Sequence, residues 1–176
     1  MNTIVSASPK DTNLLASLEI RSESYWGYDS DFMDKFKKIY LITEEFILNN
    51  PTYILKDDEI IIGFYGILLN NDEVSLEYLF IEPTYIGKGY GKMLWNHALE
   101  ECKKLGIREF TIITSPDARG FYLRLGATVF SQVDSLISKG NKTPKLIYRL
   151  WSNFHNTSEW LTSQFLYYVK LDRMTI

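Results

Sequence analysis

Three glycines alternate with other residues in the run Ile86-Gly87-Lys88-Gly89-Tyr90-Gly91-Lys92. The run follows a strongly apolar segment, residues 74–81, and precedes a segment of helical periodicity that ends near Leu105. Glycines at the head of a helix allow a tight turn and let a ligand approach the main chain closely. First-turn N–H groups have no intrahelical partner, and with the helix dipole they form an anion site, most often for phosphate.

Two familiar phosphate-binding loops do not fit this spacing. A Walker loop requires Gly, four residues and then Gly-Lys-Ser/Thr. Here Met93 follows the Gly-Lys pair, and Ile86 stands where the first glycine is needed. A dinucleotide loop requires Gly-x-Gly-x-x-Gly, but its last glycine would fall at Lys92 or Leu94. Both loop types are therefore excluded.

A second stretch carries an independent pattern. After the strand-like residues 109–114, the chain reads Ser115-Pro116-Asp117-Ala118-Arg119-Gly120-Phe121-Tyr122-Leu123-Arg124-Leu125-Gly126-Ala127. The two stretches together resemble the Gcn5-related N-acetyltransferases (GNAT). Their phosphate loop reads Arg/Gln-x-x-Gly-x-Gly/Ala, and their second motif reads roughly Asn-x-x-Ala-x-x-Phe-Tyr-x-x-x-Gly-Phe. The chain departs from these patterns at Ile86, Ser115 and Ala127.

The resemblance covers residues 3–151 and is strongest over 74–127. Hydrophobic periodicity predicts one strand, helices, three strands, a helix, a strand, a helix and two strands. We expect an α/β fold of the GNAT type, with a mixed, mostly antiparallel central sheet flanked by helices. Residues 1–151 should form the N-acetyltransferase domain. Residues 152–176 are expected to be an extra C-terminal helical segment, packed on this domain or on the partner subunit of a homodimer.

The composition of the chain limits the kinds of partner and the compartment that we expect. The net charge is −3 with no block of like charges, which argues against nucleic acid as a partner. A single cysteine, Cys102, excludes an intrachain disulfide framework. No leader-like N-terminal segment and no run of about 20 apolar residues is visible, so we expect a cytoplasmic protein with no membrane partner.

The resemblance implies acetyl-CoA as co-substrate, held mainly by main-chain groups. Amides of the glycine loop would bind the pyrophosphate, while the strand ending at Ile81 would pair with the pantetheine arm. Two lysines of the loop would add positive charge. The predicted cofactor-binding residues are Phe80, Ile81, Ile86, Gly87, Lys88, Gly89, Tyr90, Gly91, Lys92, Ser115 and Asp117.

Catalysis should be direct attack of an amine on the thioester in a ternary complex. In the family, a tyrosine at the position of Tyr122 lies beside the thioester sulfur, so Tyr122 is the predicted general acid. Glu77 lies in the strand expected to pass the acetyl group. A carboxylate among apolar neighbours would have a raised pKa suited to a base; bound water is the alternative.

The acceptor amine, a small molecule or a peptide, is not identified by any motif. Trp26 and Tyr28 follow the first helix and are predicted to line its pocket, although they could equally fill the core. A non-catalytic acyl-CoA-binding module, or an acyltransferase that uses a different acyl-CoA, is the alternative function. No metal site is expected, because His97 and His155 stand alone. His97 should lie on an exposed helix face and Cys102 in the core.

Overall fold

The computed structural model describes residues 1–70 and 72–150. Its elements confirm the predicted order of strands and helices. The C-terminal segment 152–176, with its predicted helix, lies outside the described residues. The elements are β1 (Asn2–Ser6), α1 (Thr12–Ser24), α2 (Ser30–Ile39), α3 (Glu44–Asn49), β2 (Thr52–Asp57), β3 (Ile60–Leu68), β4 (Ser75–Ile81), α4 (Tyr90–Lys104), β5 (Glu109–Ile113), α5 (Pro116–Arg124), β6 (Thr128–Asp134) and β7 (Lys142–Arg149).

Side chains just before the short helices fix where those helices begin. Asp29 accepts a hydrogen bond from the Phe32 N–H, and Thr43 accepts one from the Phe46 N–H. Both are N-caps, which satisfy an N–H that the first helical turn leaves free. Helix α1 itself packs on the sheet, and α2 contacts α1.

The seven strands form one sheet in the order β1-β2-β3-β4-β5-β7-β6. Every neighbouring pair is antiparallel except β4 and β5, which are parallel. This parallel pair meets at a single ladder position, Ser75 opposite Thr111. Beyond that position the two strands share no ladder, so the edge of β4 that faces β5 is free towards Ile81. We call this opening the strand gap.

Helices cover both faces of the sheet. Helix α4 buries Leu94, Trp95, Ala98 and Cys102 on one face, which confirms the core position of the cysteine. Helices α1 and α3 cover the other face. Neighbouring residues Phe64 and Tyr65 of β3 belong to separate core clusters, as the alternation of side chains along a strand requires.

A polar cluster closes the narrow end of the strand gap. The Glu73 carboxylate accepts hydrogen bonds from Thr111 Oγ1 at 2.9 Å and from Lys145 Nζ at 2.7 and 2.8 Å. The Thr111 N–H donates to the Val74 carbonyl at 2.9 Å. Glu73 thus joins the start of β4 to β5 and β7 at the point where the strands separate.

We predict that Glu73→Gln lowers the free energy of unfolding by about 1 kcal/mol at pH 7, because it removes the charge opposite Lys145. The hydrogen bond from Lys145 holds the pKa of Glu73 below its ordinary 4.5. Its contribution is therefore present above pH 4.5 and lost as the pH falls through the folded-state pKa. Urea unfolding at pH 7 and pH 3 measures this difference.

Glu109→Gln is the matched control, because Glu109 pairs with Arg149 in solvent, at 55% and 57% side-chain exposure. We expect that variant to cost less than about 0.5 kcal/mol. An equal loss in both variants, or a Glu73→Gln loss that persists at pH 3, would contradict the role assigned to Glu73.

Candidate active site

The glycine loop opens α4 with two left-handed residues. Gly89 is the N-cap of α4 with φ +90°, and Gly87 has φ +80°. Residues with a side chain rarely adopt this backbone conformation, which explains why glycine occupies both positions. A Cβ atom at either residue would meet nothing within 4 Å. The main chain of the loop is therefore open to a ligand.

Few amides of the loop are used within the protein. The Lys88 N–H donates to the Tyr85 carbonyl, although the bond is long at 3.4 Å. The Met93 N–H is the first to bond back into α4, to the Gly89 carbonyl at 3.1 Å. The N–H groups of Tyr90, Gly91 and Lys92 precede it and make no backbone hydrogen bond within the described residues. They are open donors at the head of α4, as an anion site requires.

Aromatic and apolar side chains support the loop from one side. Ile86 packs against the main core cluster, and Tyr85 meets Tyr90 edge to face at 5.6 Å between ring centroids. The Lys88 ammonium lies 5.3 Å from the centre of the Tyr85 ring. Lys92 is exposed on the first turn of α4. Ile86 is thus a packing residue, and the positive charge at the loop comes from the two lysines.

Gly91 marks the point where three elements converge. A Cβ atom there would lie 3.3 Å from the Phe121 ring of α5 and 3.9 Å from Ile81 Cγ1 of β4. Glycine at this position therefore allows α4 to approach both. The head of α4, the end of β4 and the middle of α5 meet at the open end of the strand gap.

Phe80 and Ile81 line this gap. On the β3 side they pair with Phe64 and Gly63. On the other side they have no ladder partner in β5, since that ladder has only its one position near Ser75. The free main-chain edge can accept an extended ligand as an additional strand.

Tyr122 lies next to this meeting point. Its ring is 7% exposed and packs against Trp95 and Phe121, at centroid distances of 5.8 and 5.0 Å. Its hydroxyl makes no hydrogen bond to a described residue. If this hydroxyl were fully buried, it would be a buried oxygen without a partner, but among residues 1–70 and 72–150 the only side-chain oxygen of that kind belongs to Glu19. The Tyr122 hydroxyl therefore reaches the surface. Burial raises the pKa of Tyr122, so the phenol keeps its proton.

Glu77 occupies a β-bulge. Tyr78 and Leu76 pair with the consecutive residues Gly66 and Ile67, which leaves Glu77 as the extra residue of β4. Its side chain is exposed and accepts a hydrogen bond from Ser75 Oγ at 2.9 Å. The structure thus places this carboxylate in a polar, exposed setting instead of the apolar one that we predicted.

Tyr28 is brought directly against two predicted cofactor residues. Its hydroxyl donates to Asp117 Oδ2 at 2.8 Å, and its ring stacks on Phe32 at 4.1 Å. Ser115 caps α5 by accepting a hydrogen bond from the Ala118 N–H at 3.2 Å. The segment after α1 and the N-terminus of α5 therefore form one wall.

Trp26 does not fill the core. It is 40% exposed and meets Tyr25, which is 54% exposed, edge to face at 5.4 Å. The sequence left open whether Trp26 lines the acceptor pocket or fills the core. The structure excludes the core position, because Trp26 lies at the surface. Tyr28 is half-buried.

One buried carboxyl group of α1, that of Glu19, escaped the sequence analysis. Glu19 is fully buried and its Oε2 accepts a hydrogen bond from the Ile42 N–H at 3.0 Å. Burial raises the pKa of Glu19 to about 8 and that of Glu23 to about 7, with smaller effects from neighbouring carboxylates. The signal was present, because Leu15, Leu18, Glu19 and Ser22 follow helical spacing and share the buried face of α1.

The expectation that His97 lies on an exposed face is wrong. His97 is half-buried, and its Nδ1 lies 2.8 Å from the Tyr65 hydroxyl. Over the described ranges, no group of three or more His, Cys, Asp or Glu side chains is placed to hold a metal ion. None of the helices in those ranges is long and apolar enough to cross a membrane.

Comparison with known proteins agrees with this geometry. The model of the acetyltransferase (GNAT) family matches residues 15–127. The chain therefore belongs to the GNAT acetyltransferase family, and the resemblance seen in the two motifs is confirmed. No curated protein matches the chain significantly.

Solved structures of acetyltransferases have the same fold. The PaiA N-acetyltransferase of Thermoplasma acidophilum, in complex with coenzyme A, is 20% identical with a TM-score of 0.72, over 85% of this chain and 99% of that one. The ribosomal-protein-S18-alanine N-acetyltransferase of Escherichia coli is 17% identical with a TM-score of 0.65, over 89% of this chain and 98% of that one. N-acetylglutamate synthase of Neisseria gonorrhoeae, in complex with coenzyme A and N-acetyl-glutamate, is 18% identical with a TM-score of 0.63. The match covers 85% of this chain and 35% of that one.

We predict that Glu19→Gln stabilises the protein by about 2 kcal/mol at pH 8 and by much less at pH 5. In the folded state the Glu19 carboxyl group keeps its proton up to about pH 8. In the unfolded state the same group loses its proton above pH 4.5. Stability of the wild type therefore falls as the pH rises between these values, and glutamine, which does not titrate, removes that loss. Urea unfolding at both pH values provides the measurement.

Glu59→Gln, at an exposed carboxylate in the turn between β2 and β3, serves as the control. It should change stability by less than about 0.5 kcal/mol at either pH. A Glu19→Gln effect of equal size at pH 5 and pH 8 would show that packing, not ionisation, is responsible.

Proposed function

We propose that this protein is an acetyl-CoA-dependent N-acetyltransferase that acts by direct attack of a primary amine on the thioester in a ternary complex. The observation that supports this most strongly is the convergence at Gly91. There, open loop amides, the free edge of β4 and the Tyr122 helix meet within van der Waals distance. Two relatives of the same fold hold coenzyme A.

In this proposal the loop amides bind the pyrophosphate of acetyl-CoA. The N–H groups of residues 90–92 and the positive end of the α4 dipole provide the donors. Lys88 and Lys92 supply positive charge, while Ile86 contributes packing. The pantetheine arm lies along Phe80 and Ile81 and bonds to the free edge of β4, which directs the thioester towards Tyr122.

The reaction joins the amine nitrogen to the acetyl carbonyl carbon and breaks the carbon–sulfur bond. The amine must be neutral to attack. At pH 7 only about one in 2,500 molecules of a lysine-like amine with a pKa of ~10.4 is in the neutral form. Attack forms an oxyanion, which fixed N–H donors stabilise. The nitrogen loses one proton to a base, and the departing thiolate gains one, giving an N-acetylated amine and coenzyme A.

Tyr122 is the proposed donor of the proton to the thiolate. Its ring is held by Trp95 and Phe121, so the hydroxyl has a fixed position, and burial keeps it protonated. Glu77 is the proposed base, acting directly or through water. Its place on the bulge leaves the carboxylate exposed, so a proton can be passed to solvent. Trp26 and Tyr28 would line the path by which the amine enters.

We predict that Gly89→Ala weakens binding of coenzyme A at least about tenfold. A Cβ atom there would project into the open space above the loop, and φ +90° would be strained by about 1 kcal/mol. Calorimetry with coenzyme A measures the affinity, and thermal unfolding measures the strain.

Gly106→Ala is its control. Gly106 has φ +71°, an equally empty surrounding, and lies after the opposite end of α4. It should lose similar stability and keep the affinity for coenzyme A. Equal affinity in the wild type and both variants would refute pyrophosphate binding at the loop.

We predict that Tyr122→Phe lowers turnover about 100-fold, because a general acid contributes at least that much, and leaves affinity for coenzyme A intact. Release of free thiol from acetyl-CoA across a panel of amines measures turnover. Tyr148→Phe is the matched control, since Tyr148 packs on Trp95 at 5.0 Å but belongs to β7, which pairs with β5 on the side away from β4. Unchanged turnover in Tyr122→Phe would falsify the assignment. Binding of coenzyme A without turnover in the wild type would favour a non-catalytic module.

A further inference from the structure

The two strands that border the strand gap end at the same edge of the sheet, because β4 and β5 run parallel. Glu82 directly follows β4, and Asp117 lies in the first turn of α5, the helix that follows β5. The two residues therefore lie on opposite sides of the open end of the gap. The ladder between the strands, at Ser75 and Thr111, does not extend to this end.

The last turn of α1 is fastened to the β4 side of the gap. Arg21 Nη2 donates to Glu82 Oε2 at 2.7 Å, and Arg21 Nε donates to Oε1 and Oε2 at 3.0 and 3.1 Å. The Glu82 side chain is 20% exposed. A guanidinium that binds both oxygens of a carboxylate fixes the geometry of the pair more strictly than a single hydrogen bond does. Arg21 therefore holds α1 at a defined position against the end of β4.

The segment that follows α1 is fastened to the α5 side of the gap. The Tyr28 hydroxyl donates to Asp117 Oδ2 at 2.8 Å. The Tyr28 ring stacks on Phe32 at 4.1 Å between ring centroids, which limits the orientations open to the hydroxyl. One short stretch of chain, residues 21–28, thus contacts both sides of the gap.

The stretch between these two contacts is bonded internally. Three main-chain hydrogen bonds close successive turns within it, at 3.1–3.2 Å. They run from the N–H groups of Tyr25, Trp26 and Gly27 to the carbonyls of Arg21, Glu23 and Ser24, respectively. Residues 21–28 therefore form a continuous connection from one side of the gap to the other, and we call them the brace.

Van der Waals contacts border the open end of the gap on the face covered by α4. A Cβ atom at Gly91 would lie 3.3 Å from the Phe121 ring and 3.9 Å from Ile81 Cγ1. Contacts of this kind prevent β4 and α5 from approaching further, but each resists their separation only weakly. The ion pair and the hydrogen bond at the two ends of the brace are directional and oppose that separation.

We propose that the brace sets the width of the strand gap, with Arg21, Glu82 and Tyr28 as positioning residues for the pantetheine arm. This proposal rests on the proposed function, in which that arm lies in the gap. The brace holds the free edge of β4 at the distance from α5 that admits the arm before any ligand binds. A site that is preorganised in this way loses less free energy to ordering on binding.

Calorimetry on the full chain tests the brace with coenzyme A and with ADP, which carries a diphosphate without the pantetheine arm. We expect Arg21→Gln and Tyr28→Phe each to weaken binding of coenzyme A about tenfold and to change binding of ADP less than about twofold. The two ligands should differ because loss of the brace releases the gap and leaves the loop amides in place.

The double variant shows whether the two contacts act on the same gap. Loss of either contact already frees one end of the brace, so loss of the second should add little. The double variant should therefore bind coenzyme A about as weakly as each single variant, whereas two independent effects would multiply to a loss of about 100-fold. A role confined to the stability of the fold would not produce this non-additivity in binding.

Arg149→Gln is the matched control, because Arg149 Nε donates to Glu109 Oε2 at 3.1 Å in an exposed pair between β5 and β7. It should keep the affinity for coenzyme A. Thermal unfolding of every variant identifies a temperature at which all of them are folded, and the affinities are compared there.

Unchanged affinity for coenzyme A in both single variants, additive losses in the double variant, or an equal loss of affinity for ADP would each overturn the proposal. Binding of coenzyme A by the wild type without release of thiol from acetyl-CoA would leave the brace in place and refute acetyl transfer.

Discussion

The structure depends on one constraint, which is that β4 and β5 run parallel and meet at a single position before they separate. The Glu73 carboxylate, bound to Thr111 and Lys145, holds them together at that end. Because the strands then diverge, the last residues of β4 keep a main-chain edge without a ladder partner. The head of α4 and the middle of α5 close on the other end of the gap at Gly91. An extended molecule can therefore pair with β4 inside the gap, where the loop amides, the free edge and Tyr122 lie together.

The sequence predicted the features that rest on local patterns. The order of elements, the glycine loop and the core position of Cys102 follow from periodicity, glycine spacing and an apolar helix face. The loop could be found because a turn with φ near +90° restricts the residue type at that position. What escaped prediction depends on contacts between distant segments. The bulge that exposes Glu77 arises from its register with β3, and His97 turns inward to meet Tyr65 of the same strand.

Glu19 illustrates a conflict between stability and binding. A carboxyl group at a fully buried helix position favours the unfolded state above its ordinary pKa, and an apolar residue would pack there without that cost. The same group lies one helical turn before Glu23, in the C-terminal half of α1. A residue that weakens the fold in this way is typical of binding and catalytic regions, where local rules are broken for function. The helical spacing of α1 alone would have predicted a leucine or a similar side chain.

The hydrogen bond between the Tyr28 hydroxyl and Asp117 joins segments 89 residues apart in the chain. In the proposed function, one belongs to the wall that would face the incoming amine, and the other to the helix that carries the proposed proton donor. A shift that widens the entrance must therefore strain or break this bond, and the disturbance reaches the first turn of α5. Under the proposed function, occupancy of either half of the cleft would alter the affinity of the other, and thermodynamics requires that influence to be mutual.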